Sequence, residues 1–166
     1  MPRLLYVTAS PRGAESWSRH LAQPYLDQWK GEVTTRDTAA SAIPPVTEEW
    51  INASWTPAEQ RTPAQRSLLT LSDQLWAELE QADELLIATP VHNFGPPVGL
   101  KAWVDQLVRA DHKLPAGLRA RVVIAAGGEY SGRTFVEPWI RQVLKYIGIT
   151  GVEVVVEGTA GRSLAA

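Results

Sequence analysis

Short apolar runs that alternate with stretches of helical periodicity limit what this chain folds into more than any other feature. Residues 4–8, 85–89, 122–126 and 152–156 are each about five long and rich in Val, Ile and Leu. Runs that stay apolar at consecutive positions present apolar groups on both faces, as strands of a parallel sheet covered on both sides do. Glu32–Asp37 is weaker, setting Val33 and Thr35 among polar residues, and reads as an edge strand.

The stretches between the runs have helical spacing. Leu21, Tyr25, Leu26 and Trp29 share one face of a first helix, which Pro24 is expected to kink or to delay at its start. Thr62-Pro63-Ala64-Gln65 has the spacing of a capping box with proline at N1, and a stripe of Leu68, Leu71, Leu75 and Leu79 follows, with Trp76 alongside. Pro96 and Pro97 open a helix carrying Leu100, Trp103, Val104, Leu107 and Val108. The last helix runs from about Arg133 through Phe135, Trp139, Ile140, Val143, Leu144 and Ile147, with Gly148 as its C′ residue.

Strands alternating with helices through right-handed crossovers make a doubly wound α/β sheet. Five strands suit the flavodoxin-like order 2-1-3-4-5 better than the six-stranded dinucleotide fold. The connection over residues 38–61, with Pro44, Pro45, Pro57, Trp50 and Trp55, is too long for a plain loop and reads as a binding flap or the carrier of a short helix.

Composition removes several function classes. A chain of 166 residues is expected to form one domain, residues 1–166. Sixteen Lys and Arg against 18 Asp and Glu leave a net charge of −2, which offers no footprint for nucleic acid or for an anionic membrane surface. No stretch approaches the roughly 18 apolar residues of a membrane span. The absence of cysteine rules out disulfides, thiolate metal sites and cysteine nucleophiles, and fits a cytoplasmic location. Seven tryptophans outnumber four tyrosines and two phenylalanines, a surplus that either core filling or a large flat apolar surface would use.

Ligands of such sheets bind beyond the C-terminal strand ends, near the switch in strand order, and three loops fall there. The first holds Ser10, Ser16 and Ser18 around Trp17, at a helix N-terminus. It has neither the Gly-Lys-Ser/Thr of a Walker loop nor GxGxxG. Hydroxyls beside free helical N–H groups suit a phosphate, and Ser16 acting only as a helix cap is the plainer reading. Arg12 adds positive charge to the loop, while Glu15 must face solvent. The second loop, Thr89-Pro90-Val91-His92-Asn93-Phe94-Gly95-Pro96-Pro97, is stiffened by Pro and Gly so that it presents backbone amides at fixed places. His92 has no partner at triad or metal spacing. Asn93 either bonds a heterocycle edge or braces the loop. The third loop contains Gly127, Gly128 and Tyr130, where the glycines allow close approach to something flat or a tight turn.

Taken together, the three loops resemble those of the FMN-dependent NAD(P)H:quinone oxidoreductase and azoreductase family, over about residues 3 to 156. The likeness rests on Ser10…Ser16-Trp17-Ser18, on Pro90-Val91-His92-Asn93-Phe94, on Leu100-Lys101 with Asp105, on Gly127-Gly128 and on Tyr146-Ile147-Gly148-Ile149-Thr150. It implies that Ser10, Ser16, Ser18 and the amide of Trp17 hold the FMN phosphate. It further implies that Pro90, Val91, His92, Asn93 and Phe94 line the isoalloxazine edge, and that Gly127 and Gly128 approach its pyrimidine side. No catalytic side chain is implied, because the flavin carries the hydride from NADH or NADPH to a small aromatic acceptor, a quinone or an azo compound. His92 stands where members often carry an aromatic residue, and is at most a modulator. The resemblance also implies a homodimer, with pocket walls from Trp50, Trp55, Tyr130 and a second subunit.

Two departures accompany the likeness. Residues 110–120 are a short bridge where members have a longer segment, and residues 158–166 do not make the closing helix of the family. Apolar sheet surface is then expected to meet a partner subunit or another element. A relative serving one defined molecule in a biosynthetic pathway, or a flavin-binding electron carrier, is the alternative reading of these motifs.

Overall fold

The computed structural model describes residues 1–114, 117–127, 134–161 and 164. Five strands form one parallel sheet: β1 (Arg3–Thr8), β2 (Glu32–Asp37), β3 (Glu84–Pro90), β4 (Arg119–Ala126) and β5 (Gly151–Gly158). Their spatial order is β2-β1-β3-β4-β5, the flavodoxin-like order, with β1 and β3 central and the switch in strand order between them. Each apolar run lies within a strand, and β2 is the edge strand that its composition predicts, exposed over its first four residues.

Five helices cover the sheet: α1 (Trp17–Gln28), α2 (Glu48–Trp55), α3 (Pro63–Gln81), α4 (Val98–Leu107) and α5 (Val136–Tyr146). Side-chain alternation along the strands divides the core. Leu5, Val7, Leu85, Ile87, Val122 and Ile124 pack toward α3, α4 and α5, against Trp76, Trp103 and Ile140. Leu4, Tyr6, Leu86, Ala88 and Val123 pack the other way, under α1. Full burial of one such aliphatic side chain stabilises by about 1.5–3 kcal/mol, so the sheet holds because both faces are filled.

Coverage stops at β5. Val152, Val154 and Val156 pack against the larger cluster, whereas the alternate positions are Glu153, Val155 and Glu157. On that side Arg121 pairs with Glu153 at 2.8 Å, and its guanidinium lies 4.8 Å from the centroid of the Tyr25 ring. Among the described residues, the fifth run thus packs its apolar cluster on one face, while charge and the Tyr25 ring of α1 occupy the corner on the other. Among the described residues no helix follows β5.

The helices depart from expectation at three points. Pro24 does not delay α1, which starts seven residues earlier at Trp17; the proline only removes the N–H that would bond the carbonyl of His20. The capping box at Thr62 forms in full, but the buried stripe of α3 is Leu69, Ser72, Leu75, Trp76 and Leu79, with Leu68 turned outward. Ser72 enters the stripe because its hydroxyl donates to the Gln106 carbonyl at 2.6 Å and meets Arg109, whose side chain is fully buried. Asp73 and Asp111 neutralise that guanidinium, and Asp111 also pairs with Arg61 at 2.7 Å. Burial would raise the Asp111 carboxyl, but Arg61, His112 and Arg109 hold it well below the usual carboxylate range. Lastly, α5 begins at Val136 rather than near Arg133, which lies outside the described residues. Gly148 does follow α5 at φ +106, and any Cβ there would stand 2.5 Å from the Leu114 carbonyl oxygen.

The connection after β2 carries α2 and a short 3-10 turn. Trp50 is buried with Ala53 and Leu69 in a small satellite cluster, so it fills core rather than lining a pocket wall. Trp76 and Trp103 are also core residues, while Trp55 is exposed.

Candidate functional site

The carboxyl ends of β1, β3 and β4 bring the three loops to one side of the sheet. Ser10 follows β1 by two residues, Ser16 is the N-cap of α1, and Ser18 sits in its first turn; all three are buried. Ser16 Oγ accepts the Arg19 N–H at 3.3 Å, and the Ser16 and Ser18 hydroxyls bond each other at 3.1 Å. Ser10 Oγ accepts the Arg12 N–H at 3.3 Å. Gly13, at φ +55, turns the chain into the 3-10 segment Gly13–Glu15 that leads to the cap. Ser16 is thus a helix cap in fact, and the arrangement suits an anion as well. The N–H groups of Trp17 and Ser18 have no carbonyl one turn back within the helix, and the positive end of the helix dipole adds to them. Glu15 and Arg12 both face solvent.

The second loop is a two-residue hairpin. His92 N–H donates to the Gly95 carbonyl at 2.9 Å and Gly95 N–H to that of His92 at 3.0 Å. The central residues Asn93 and Phe94 have φ of +48 and +69. Two successive left-handed residues inside a mutual pair of this kind make a type I′ turn. Asn accepts that conformation readily; Phe does not, and a left-handed non-glycine residue costs about 1–2 kcal/mol. The strain is held from two sides. Val91 N–H donates to the Ala125 carbonyl at 3.1 Å, and the Phe94 carbonyl accepts the Phe135 N–H at 3.0 Å. His92, Asn93 and Phe94 are exposed, and Pro90 and Val91 half-buried at the foot of the turn.

In the third loop, a Cβ added to exposed Gly127 would meet no atom within 4 Å, and its backbone is not in the left-handed region. Among the described residues, therefore, nothing crowds this position, and its own backbone does not demand glycine. Gly128 and Tyr130 lie outside the described residues.

A cavity of about 300 Å³ adjoins the hairpin, lined by Ala9, Pro11, Thr38, Ile43, His92 and Pro97 among others. Its floor depends on a close approach between α4 and the end of β2, since a Cβ on Gly99 would stand 2.2 Å from the Thr38 carbonyl oxygen. Ile43 belongs to the connection after β2, so that connection contributes to the site through its first part. Trp55, with Ile51 and Pro57, lines a separate shallow depression.

Charge at the site is concentrated beside the first loop. Arg19 pairs with Asp37 at 2.6 Å. Partial burial raises the Asp37 carboxyl, but the Arg19 guanidinium and the N–H groups of Ala39 and Ala40 outweigh it and hold the carboxyl below its ordinary value. Among the described residues no group of three or more His, Asp or Glu could hold a metal ion. The donor set fits a phosphate monoester at the first loop, and the hairpin with the space over Gly127 fits a flat heterocycle.

The serines, the Pro-Val-His-Asn-Phe run and Gly127 all fall at the carboxyl end of the sheet, though Ser18 lies in the first turn of α1 and Pro90 closes β3 rather than standing on a loop. Sequence reasoning misses Arg19, Asp37, Ile43 and the Asn93-Phe94 turn. Arg19 was findable as the residue three beyond a capping serine. The turn was not, because Asn-Phe lacks the glycine that usually marks such hairpins.

The family model of the flavodoxin-like fold matches residues 2–166. FMN-dependent NADH:quinone oxidoreductase 2 of Jannaschia sp. (strain CCS1) is 41% identical over 178 residues, covering 96% of this chain and 87% of the relative. That alignment is longer than the 166 residues here, so the relative carries additional residues within the matched span. FMN-dependent NADH:quinone oxidoreductase 1 of the same organism is 45% identical over 164 residues, covering 92% of this chain and 85% of the relative. Among solved structures, an azoreductase from Bacillus anthracis str. Sterne has a TM-score of 0.84 at 22% identity, covering 95% of this chain and 87% of that one. An FMN-dependent NADH-azoreductase from Bacillus anthracis str. Ames Ancestor, in complex with FMN, has a TM-score of 0.76 at 18% identity, covering 94% of this chain and 87% of that one. The structural likeness speaks for the fold, and the sequence likeness for kinship: this chain belongs to the flavodoxin-like family of FMN-dependent NADH:quinone oxidoreductases.

Proposed function

We propose that this chain, as one domain over residues 1–166, is an FMN-dependent oxidoreductase that passes hydride from NADH or NADPH to quinones, azo compounds and other electron-poor aromatics. The observation that carries the reading is the juxtaposition, at the β1/β3 switch, of a serine-lined helix N-terminus with a rigid amide-bearing hairpin. FMN, when bound, supplies the redox chemistry, accepting hydride from the nicotinamide and giving it to the acceptor. The protein's part is to bind, orient and shield.

Ser10, Ser16 and Ser18, with the amide of Trp17, hold the phosphate, where the dipole and unpaired N–H groups favour a dianion without a lysine. Pro90, Val91, His92, Asn93 and Phe94 line the ring edge, chiefly through backbone groups that the type I′ turn holds in one orientation. Gly127 stands on the pyrimidine side, the place the resemblance also gives to Gly128, which lies outside the described residues. The cavity beside His92 and Ile43 suits a small aromatic acceptor, because most of its wall is apolar and His92 sets a single titratable group at its rim. The reading includes a homodimer, which would wall the cavity more fully, and a cytoplasmic location. No helix among the described residues is long and apolar enough to cross a membrane, which fits that location.

One spectrum tests the reading. The purified protein, or the protein given FMN, shows flavin absorbance that NADH bleaches anaerobically and a quinone restores. Protein that takes up no flavin from excess FMN would overturn it. Bound FMN with negligible turnover of simple quinones would instead favour a relative serving one defined substrate.

A further inference from the structure

We infer that Arg19 is the positioning residue of the phosphate loop: it joins the loop's two ends to each other and, through Asp37, to the end of β2. The inference rests on the FMN reading above. The loop leaves the sheet at Ser10 and enters α1 at Ser16. Arg19 touches both ends, because its main-chain N–H donates to Ser16 Oγ at 3.3 Å while its guanidinium Nη2 donates to the Ser10 carbonyl at 3.2 Å. The same Nη2 donates to Asp37 Oδ2 at 2.6 Å. Asp37 is fixed in turn, its Oδ1 accepting the N–H groups of Ala39 at 3.0 Å and Ala40 at 3.1 Å.

Three features make this more than a staple between α1 and β2. The guanidinium is mostly buried, and its Nε is buried with no hydrogen-bond partner, so the group is held by the Nη2 contacts rather than by full satisfaction of its donors. The backbone acceptor it takes is the carbonyl of Ser10, a residue whose own hydroxyl belongs to the donor set, so fixing that carbonyl fixes the peptide plane that aims the loop. The positive charge also offsets Asp37, whose carboxylate next to the loop would otherwise repel a phosphate dianion. A lysine at this position keeps the charge and has three donors, but its head is a freely rotating point charge, without the planar guanidinium that fixes the direction of the two contacts made by Nη2.

Arg19→Ala, Arg19→Lys and the wild-type protein are titrated with FMN and with riboflavin, which lacks the phosphate, following quenching of flavin fluorescence. The 31P resonance of bound FMN is the second readout. Arg19→Ala is expected to weaken FMN binding about 10-fold or more, the scale of one lost charge-assisted contact, while riboflavin affinity moves less than about twofold. Arg19→Lys recovers part of the FMN affinity with a shifted 31P resonance. Equal losses for FMN and riboflavin in both variants would make Arg19 a general structural residue and overturn the inference, as would unchanged FMN affinity with an unmoved resonance. Should Arg19→Ala fail to fold, the Arg19→Lys titration and its 31P spectrum decide by the same criteria. Wild-type protein that binds no FMN overturns the underlying reading instead, a result distinct from either outcome in the variants.

Discussion

The serine loop after β1 and the hairpin after β3 stand side by side at the same end of the sheet and are held in opposite ways. The first places glycine where the backbone turns left-handed, at Gly13, and ties itself together with local side-chain bonds from Ser16, Ser18 and Arg19. The hairpin places Asn93 and Phe94 at its left-handed positions and depends on backbone bonds from Ala125 and Phe135 to hold it. One loop is relaxed and braced by side chains, including the tie from Arg19 to Asp37; the other is strained and braced by backbone bonds to other segments. Recognition of charge needs donors that converge, which short side chains can arrange locally. Recognition of a ring edge needs amides in one fixed plane, and a turn over-determined by its surroundings keeps them there.

The difference makes measurable claims. The largest effect is expected from Ser16→Ala with Ser18→Ala. Two charge-assisted hydrogen bonds at about 1.5 kcal/mol each amount to a loss of FMN affinity on the order of 100-fold, read by fluorescence titration. A double variant that binds FMN as tightly as wild type would show that backbone amides alone hold the phosphate. Next is Gly127→Val. Since the site has open space and an ordinary backbone, thermal stability should change by less than about 1 kcal/mol. Flavin affinity should nevertheless fall about 10-fold, because the side chain fills the room kept for the ring. Stability and affinity falling together would instead mean that glycine serves the turn.

Phe94→Gly separates strain from contact. It creates the Asn-Gly pair that type I′ turns favour and should stabilise the protein by about 0.5–1 kcal/mol in urea melts. Gly13→Ala, the converse change in the relaxed loop, should destabilise by about 1 kcal/mol. If both changes destabilise equally, the contrast between the loops is wrong. The smallest effect concerns acid. Asp37 has its carboxyl lowered in the folded state, so the stability it contributes is present above the ordinary carboxylate range and is lost as pH falls through that range and below. Arg19 and the buried phenol of Tyr6 face it. Asp37→Asn should flatten that acid limb by less than about 1 kcal/mol, because the pair is partly exposed. Urea melts at pH 7 and at about pH 3, below the ordinary Asp range, check this, and an unchanged difference would show that Asp37 does not couple to folding.

Much of the architecture was legible in the chain. The apolar runs became strands at nearly their own boundaries, the capping box at Thr62 formed, and Gly148 ended the last helix. Periodicity failed where a polar residue held a core place. The buried stripe of α3 runs through Leu69 and Ser72 rather than Leu68, and the Ser72 hydroxyl there meets the buried guanidinium of Arg109, far along the chain. The resemblance implies a pocket wall at Trp50, yet the short helix α2 turns it into a core cluster with Leu69.

Strand count, α/β alternation and the positions of the three loops are written in the chain, because they follow from local periodicity, from proline and glycine, and from short-range capping. Folding alone brings Arg19 back to Ser10 and across to Asp37, forces Phe94 into a left-handed turn, and turns Ile43 and His92 toward one cavity. Those are contacts between segments far apart in the chain or conformations imposed against local preference. Both arise from packing rather than from propensity, and no pattern of neighbouring residues encodes them.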